Sequence, residues 1–291
     1  MNVLISSDFN YLDKYVTMLC SLKRCTKEAI KIFFLNSRVE RKDMETFVKT
    51  MAQYDMETEV VDVKGIGFEN YPIAHHLSIE TYFRILAQFI LPESVDRIIW
   101  LDADIVVLKD ISEFYYQDFQ GKKYVVCEEK VNRTEYGMNL KKKIGLPESH
   151  VYFNAGVMLM NIELLRRDTD MDYLMGECER LKDSVEWFDQ DILNIIYQND
   201  LKYDDAVKYN YQVAHEKKIS KDKLAQIHIM HYNSRKKPWL YEEINDTSVF
   251  YWKAYAQRGK KERHEAKQIY KSKIMDCYKG LKSNIRGMFS L

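Results

Sequence analysis

The segment that most constrains this chain is RIIWLDADIVVL, residues 97–108, in which two aspartates interrupt a run of apolar residues. The run predicts a buried strand, where an isolated carboxylate is costly unless a partner compensates its charge. Alternate residues of an extended chain face the same way, so Asp102 and Asp104 are predicted to converge while Ala103 points elsewhere. A divalent ion would compensate both carboxylates. The alternative is an ordinary turn after a strand, where aspartates are common.

Strands alternate with helices through the first hundred of the 291 residues. The predicted strands are NVLISSD, IKIFFLN, TEVVDV and RIIWL, separated by predicted helices at 11–24, 40–53 and 78–90. This alternation predicts βαβ units and a mostly parallel sheet. Ligands of such sheets bind beyond the carboxyl ends of the strands. Because Asp8 ends the first strand and Asp102 ends the fourth, a site is expected there.

The rest of the chain is less regular but continues the α/β pattern. We expect a charged loop or short helix at 128–150, a strand at YFNAGVMLMNI, helices at 162–182 and from DQDILNIIYQ, a strand at IHIMHY and tail helices at 248–289. The predicted organisation is therefore an α/β domain over residues 1–247 followed by a helical basic tail over residues 248–291.

Charge is distributed unevenly along the chain. The formal net charge is zero, which does not favour a nucleic-acid partner. Residues 260–291 nevertheless carry nine basic and three acidic residues, mixed with aromatic and aliphatic ones. Two explanations remain open: the tail is a solvated helix packed on the body, or it rests on an anionic membrane surface.

The cysteines and the lack of an export signal indicate the cellular compartment of the protein. The five cysteines are scattered with no C-x-x-C pair, which is typical of a reducing compartment. The start MNVLISSDFN has no basic leader region, and no apolar run reaches about 18 residues. The expected location is the cytoplasm, with the tail as a peripheral contact on the inner face of the membrane.

Two reaction classes use paired aspartates of this kind. One is group transfer from a nucleotide diphosphate, in which a metal bridges carboxylates and diphosphate oxygens. The other is aspartyl-phosphate chemistry, with Asp102 as the nucleophile. DADIV fits the D-x-D-x-[TV] pattern of haloacid-dehalogenase-like phosphatases, but those enzymes carry it on the first strand. Three βα units precede it here, which counts against this class.

Three further segments are candidates that have simpler explanations. In HIMHYNSRKKPW, His228 and His231 would face opposite sides of a strand, so at most one is a ligand, and Lys237 could hold a phosphate. In WFDQDILNIIYQ, the acidic residues suit helix capping as well as a site. In FNAGV, Asn154 stands beside Ala155-Gly156, a small pair that allows either close ligand approach or tight packing.

Taken in order, SDFNY, SIETYFR, WLDADIVVL, YFNAGVMLMN, WFDQDILN and HYNSRKKPW resemble glycosyltransferase family eight over residues 1 to about 240. This family includes bacterial lipopolysaccharide α-galactosyl- and glucosyltransferases, general-stress-protein-A-like proteins and glycogenin. The resemblance implies a GT-A fold, a UDP-sugar donor, Mn²⁺ (with Mg²⁺ as the alternative ion) and retention of anomeric configuration. Two carboxylates and an imidazole suit Mn²⁺.

The same resemblance assigns roles to individual residues. It implies that Asp102, Asp104 and His231 are metal ligands, and that Asp189 and Gln190 lie at the reacting centre. The implied substrate-binding residues are Ser6, Asp8, Asn10, Tyr11, His76, Arg84, Asp102, Ala103, Asp104, Asn154, Ala155, Asp189, Gln190, Ser234 and Lys237. Ser234 departs from the family pattern H-x-x-G-x-x-K-P-W, in which glycine lets a backbone amide approach a phosphate.

The predicted function is therefore a hexosyltransferase that moves galactose or glucose from UDP to a saccharide or glycolipid acceptor. Synthesis of cell-surface glycan or of lipopolysaccharide-type glycan is the expected setting. Two alternatives remain: a haloacid-dehalogenase-like phosphatase, and a non-catalytic stress protein that binds sugar nucleotides.

Overall fold

The strands of the chain form two sheets in the computed structural model, which describes residues 1–68, 71–72, 79–214, 216, 218–243 and 245–273. In chain order the strands are β1 (Asn2–Ser6), β2 (Ile30–Asn36), β3 (Met56–Asp62), β4 (Arg97–Leu101), β5 (Ile105–Val107), β6 (Tyr124–Glu128), β7 (Phe153–Asn161), β8 (Leu201–Asp204), β9 (Tyr211–Gln212) and β10 (Ile229–His231). Within these described ranges, the large sheet has the order β3-β2-β1-β4-β7-β6-β8 and the small one the order β5-β10-β9.

The large sheet is mostly parallel, as predicted, and β7 is its one antiparallel strand among the described residues. Strands β3, β2, β1 and β4 are parallel to one another, as the βαβ pattern predicts. Strand β7 then enters between β4 and β6 and is antiparallel to both. Because β1 has β2 on one side and β4 on the other, the chain segments that leave β1 and β4 meet at one edge of the sheet, where a ligand of such a fold binds.

The segment RIIWLDADIVVL is not one interrupted strand. Strand β4 lies in the large sheet, whereas β5 lies in the small sheet and pairs antiparallel with β10. Residues 103–104 form the turn between the two strands. The prediction of a continuous strand is therefore wrong. An apolar run is equally suited to a strand in either sheet, so it does not show that the neighbouring strand changes from β7 to β10.

The helices cover both faces of the large sheet. They are α1 (Leu12–Cys25), α2 (Arg41–Gln53), α3 (Ala87–Ile90), α4 (Ser112–Tyr116), α5 (Glu135–Lys143), α6 (Ile162–Asp168), α7 (Met171–Leu181), α8 (Phe188–Ile196), α9 (Ala206–Tyr209), α10 (Lys221–Gln226) and α11 (Val249–Ala256), and residues 260–273 are also helical. Short 3-10 helices cover Phe9–Tyr11, Ile79–Leu86 and Tyr241–Glu243.

Two predicted helices differ in the structure. The predicted helix at 78–90 is a 3-10 helix over Ile79–Leu86 followed by the single turn of α3. Residues on every side of this segment are buried, so packing rather than an amphipathic pattern holds it. The predicted helix at 162–182 divides into α6 and α7, because Asp170 caps α7 by accepting from the backbone N–H of Tyr173.

The first part of the predicted tail packs on the body. Tyr251 and Trp252 of α11 are buried, and the Trp252 indole donates to the carbonyl oxygen of Pro238 at 2.9 Å. Arg258 forms an ion pair with Asp13 of α1 at 2.7 Å. Residues 274–291 lie outside the described part of the chain, so the domain boundary at residue 247 stays a prediction. In the described residues, no helix is long and apolar enough to cross a membrane.

Candidate active site

A pocket opens where the chain leaves β1 and β4, at the carboxyl edge of the parallel strands. Its lining includes eight residues that the sequence predicts for a substrate site: Ser6, Asp8, Tyr11, Arg84, Asp102, Ala103, Asp104 and Lys237. The sequence did not single out four further lining residues, Ser7, Tyr15, Thr81 and Trp100. The sheet topology therefore brings together residues that are more than two hundred positions apart.

The turn after β4 directs both aspartates into this pocket. The backbone N–H of Asp102 donates to the carbonyl of Gly156 at 2.9 Å, and the carbonyl of Asp104 accepts from the N–H of Tyr232 at 2.9 Å. These bonds hold the turn between β7 on one side and the end of β10 on the other. The two carboxylates converge as predicted, but through this turn rather than through the alternation of an extended strand.

His231 completes the cluster from the end of β10. Antiparallel pairing places His231 opposite Ile105, the residue that follows Asp104. Its Nε2 lies 3.1 Å from Asp104 Oδ1 and 3.9 Å from Asp102 Oδ2. One potential ligand atom from each of the three residues lies within 4.8 Å of the others. His228, which directly precedes β10, instead bonds through Nδ1 to the carbonyl of Asp110.

Lys237 is the cation next to Asp104. Its ammonium group forms an ion pair with Asp104 Oδ2 and donates to the carbonyl of Tyr232 at 3.0 Å. Burial alone would raise the pKa of Asp104, but the charges and hydrogen bonds of Lys237 and His231 together outweigh that effect and hold the pKa well below its usual value. Asp104 is therefore an anion over the whole physiological pH range.

Three observations fit a divalent cation at this cluster. Asp104 Oδ1 is buried and, within the described residues, no hydrogen-bond donor reaches it. Gly156 lines the back of the cluster, where a Cβ would lie 2.3 Å from His231 Cε1 and 2.8 Å from Asp102 Oδ2. Two carboxylate oxygens and an imidazole nitrogen form a donor set that Mn²⁺ accepts. The residues present could therefore hold such an ion.

Arg84 links the cluster to the start of α8. Its Nε and Nη2 both lie 2.5 Å from Asp189 Oδ2, and its Nη1 lies 3.3 Å from Asp102 Oδ1 and 2.7 Å from the carbonyl of Ala155. The guanidinium also stacks over Trp100, whose indole N–H donates to Asp102 at 2.7 Å. Burial raises the pKa of Asp189 although Arg84 opposes the shift. Arg84 therefore shares its charge between two carboxylates.

Asp189 and Gln190 lie behind the pocket, against β7. They follow Phe188, whose positive φ of 51° marks a turn that side chains other than glycine rarely adopt. Gln190 Oε1 accepts from the backbone N–H of Ala155 at 2.9 Å. The next residue, Asp191, accepts from the backbone N–H groups of residues 186 and 187 and so fixes the segment that enters α8. Among the described residues, no side chain caps the start of α8, so the simpler explanation of this acidic segment as a helix cap is wrong.

The remaining predicted residues lie around this centre. Asp8 caps the 3-10 helix over Phe9–Tyr11 by accepting from the N–H of Asn10, which is exposed. The rings of Tyr11 and Trp239 are nearly perpendicular, with their centroids 6.0 Å apart. Asn154 is buried and bonds to its protein neighbours.

Two predicted positions need separate comment. Ser234 is not among the described residues with a positive φ, so serine meets no left-handed backbone where the family pattern has glycine. Its hydroxyl oxygen accepts from the N–H of Lys236 at 3.2 Å. His76, predicted near an acceptor, lies outside the described residues.

Comparison with known families agrees with this geometry. The model of glycosyl transferase family 8 matches residues 2–243. The chain belongs to glycosyltransferase family 8. Membership decides between the two enzyme classes in favour of glycosyl transfer and against the haloacid-dehalogenase-like phosphatase.

Individual relatives are distant but cover most of the chain. A putative glycosyltransferase of Haemophilus influenzae is 24% identical over 248 residues, which are 82% of this chain and 73% of the relative. The lipopolysaccharide 1,3-galactosyltransferase of Salmonella typhimurium is 25% identical over 251 residues, 82% of this chain and 72% of the relative. The solved galactosyltransferase LgtC, in complex with donor and acceptor sugar analogues, superposes with a TM-score of 0.75 at 21% identity, covering 87% and 95% of the two chains. The fold is GT-A, as the resemblance implied.

The buried pair of Arg84 and Asp189 predicts a pH-dependent stability defect. Replacing Arg84 with Met leaves Asp189 buried without its cation, and breaking such a pair costs about 3–5 kcal/mol. Since a buried carboxylate has a folded pKa above its unfolded value of about 4, the penalty is absent below that value and grows as the pH rises towards the folded pKa. Urea unfolding should therefore show a larger loss in Arg84→Met at about pH 8 than at about pH 5.

The matched control is the double variant Arg84→Met/Asp189→Leu, which removes the buried charge as well as its partner. We expect it to recover most of the lost free energy of unfolding and to lose the pH dependence. An equal loss at both pH values in the single variant would contradict the electrostatic account.

Proposed function

We propose that this protein is a retaining hexosyltransferase that moves galactose or glucose from UDP to a saccharide or glycolipid acceptor during cell-surface glycan synthesis. Mn²⁺, with Mg²⁺ as the second choice, would be held by Asp102, Asp104 and His231. The observation that carries this proposal is the convergence of those three side chains within 4.8 Å, beside a pocket that Lys237 also lines. The similarity to a lipopolysaccharide galactosyltransferase supports galactose and a saccharide acceptor.

The pocket suggests how the donor lies. The uridine would lie towards Asp8, Asn10 and Tyr11, and the diphosphate towards the aspartates. When bound, the ion would offset the negative charge of the diphosphate. A lysine ammonium has three donors, and Lys237 uses two of them on Asp104 and on the carbonyl of Tyr232. A diphosphate oxygen is the partner we expect for the third.

The positions of Asp189 and Gln190 bear on how configuration is retained. Asp189 Oδ2 receives two N–H groups of Arg84, and Gln190 Oε1 receives the N–H of Ala155. Side chains held in this way are suited to position the transferred sugar rather than to attack it. We therefore favour attack by the acceptor from the side of the leaving group, with a diphosphate oxygen taking the acceptor proton. A glycosyl adduct on Asp189, trapped with a fluorinated donor, would contradict this route.

The exposed basic face of the last described helix supports a peripheral membrane contact. Lys260, Arg263, Lys267 and Lys271 are exposed, and their spacing places them on one face. Ala266, which is buried, lies on a different face. Each basic residue near an anionic surface contributes about 1 kcal/mol of attraction. A cytoplasmic enzyme that extends lipid-linked saccharides would gain access to its acceptor from such a contact.

The transferase proposal predicts that hydrolysis or transfer of a UDP-sugar depends on Asp104. Asp104→Asn keeps the shape but removes the negative charge, so turnover of UDP-galactose or UDP-glucose with Mn²⁺ should fall by about 100-fold or more. The matched control is Asp110→Asn, because Asp110 is exposed and accepts bonds from Ser112 that an asparagine can also accept. Nuclear magnetic resonance of the product should show retained anomeric configuration. No turnover of any UDP-hexose by the wild type would contradict the proposal.

The membrane proposal predicts that charge reversal on the helix over 260–273 abolishes vesicle binding. Lys267→Glu/Lys271→Glu should lose sedimentation with vesicles that contain phosphatidylglycerol, while UDP-sugar turnover persists. The control Lys42→Glu/Lys49→Glu changes the net charge equally on exposed positions of α2. If both double variants bind such vesicles as the wild type does, the helix does not contact the membrane.

A further inference from the structure

The imidazole of His231 has a second partner, Asn210, which no sequence pattern had singled out. His231 is buried, and its Nδ1 lies 2.8 Å from Asn210 Oδ1. Asn210 ends α9 and directly precedes β9, which pairs in parallel with β10. The register of β9 and β10 therefore delivers Asn210 to the side of His231 that faces away from the aspartates.

The orientation of the Asn210 amide follows from its neighbours. The backbone N–H of Gly156 can only donate, so the Asn154 atom that lies 3.0 Å from it is the oxygen. The NH₂ group of Asn154 then donates to Glu129 at 2.7 Å. The Asn210 atom that lies 2.9 Å from Asn154 Oδ1 must be its own NH₂ group. Consequently the oxygen of Asn210 faces His231.

This orientation decides which nitrogen of the imidazole carries the proton. An amide oxygen accepts but cannot donate, so Nδ1 of His231 must be the donor. In the neutral ring, Nε2 then has a lone pair, and that lone pair faces Asp104 Oδ1 at 3.1 Å. The same oxygen of Asp104 has no hydrogen-bond donor among the described residues. A divalent cation placed between them would be bound by the lone pair of Nε2 and by the carboxylate oxygens together.

We propose that Asn210 is a positioning residue: it accepts from Nδ1 of His231 and so holds the ring with Nε2 aimed at the two aspartates, where a divalent cation would bind. The inference rests on the proposed function, because it assigns Asn210 to the same metal site. Partners that fix the second nitrogen of a ligating histidine commonly change metal affinity by 10- to 100-fold when they are removed. Asn154 and Glu129 form the far end of this chain of hydrogen bonds and fix the direction of the Asn210 amide.

Three variants of the full chain separate this role from simple filling of the interior. Asn210→Ala removes the acceptor, whereas Asn210→Asp keeps an oxygen that accepts from Nδ1. Asn161→Ala is the control, since Asn161 lies at the opposite end of β7 from Asn154 and caps α6 by accepting from Leu164. It should lower stability without changing the site.

Two measurements follow on each variant. Long-range ¹H–¹⁵N spectra of the metal-free protein report which nitrogen of His231 carries the proton. Electron paramagnetic resonance of free Mn²⁺, with UDP present, reports the dissociation constant of the ion. We expect the wild type to carry the proton on Nδ1. Asn210→Ala should lose this preference and bind Mn²⁺ about 10- to 100-fold more weakly, Asn210→Asp should keep most of the affinity, and Asn161→Ala should match the wild type.

The outcomes separate the inference from the proposed function. A proton on Nε2 in the wild type, or unchanged tautomer and Mn²⁺ affinity in Asn210→Ala, would overturn the role of Asn210 while leaving the transferase intact. Absence of Mn²⁺ binding by the wild type itself would instead overturn the proposed function. If Asn210→Ala does not fold, the wild-type tautomer and the affinity of Asn210→Asp still decide the inference.

Discussion

The mutual repulsion of the Asp102 and Asp104 carboxylates is the constraint on which the site depends. Both groups converge on one imidazole nitrogen, in a place where water cannot fully solvate them. Like charges this close together, with Asp104 buried and Asp102 partly buried, persist only if cations compensate them. Lys237 and Arg84 compensate part of the charge from within the chain, each bonding to one of the two aspartates. The Oδ1 oxygen of Asp104, which has no hydrogen-bond partner among the described residues, is where the remaining negative charge would be compensated by an ion that also binds a donor diphosphate.

The fold brings the two aspartates together by ending β4 in the large sheet and starting β5 in the small sheet. If β4 continued straight into β5, the aspartates would lie within the sheet rather than at its edge. The turn at residues 103–104 and the pairing of β5 with β10 bring His231 to the same place. Gly156 on β7 leaves the space that the imidazole occupies. The site is thus formed where the two sheets meet, and neither sheet contains it alone.

The sequence predicted individual strands and helices better than it predicted which strands pair and which distant residues are in contact. RIIWL and IKIFFLN are strands within their predicted bounds, because predominantly apolar segments suit strands covered on both faces. The approach of Asp102 to Asp104 was predicted from their spacing, but a turn at residues 103–104 produces it rather than an extended strand. The splitting of β4 from β5 did not follow, since hydrophobicity does not encode which strand is the neighbour. Trp100 and Asn210 were missed for the same reason: their roles arise from contacts between distant segments, and each looks ordinary within its own segment.

The central claim is that a divalent ion, together with a donor diphosphate, completes the compensation of the two aspartates. Calorimetric titration of UDP into the wild-type protein, with Mn²⁺ and then with a chelator, tests it most directly. The account predicts binding of UDP that requires the ion. Equal binding in the presence of the chelator, or no binding of UDP under either condition, would contradict it.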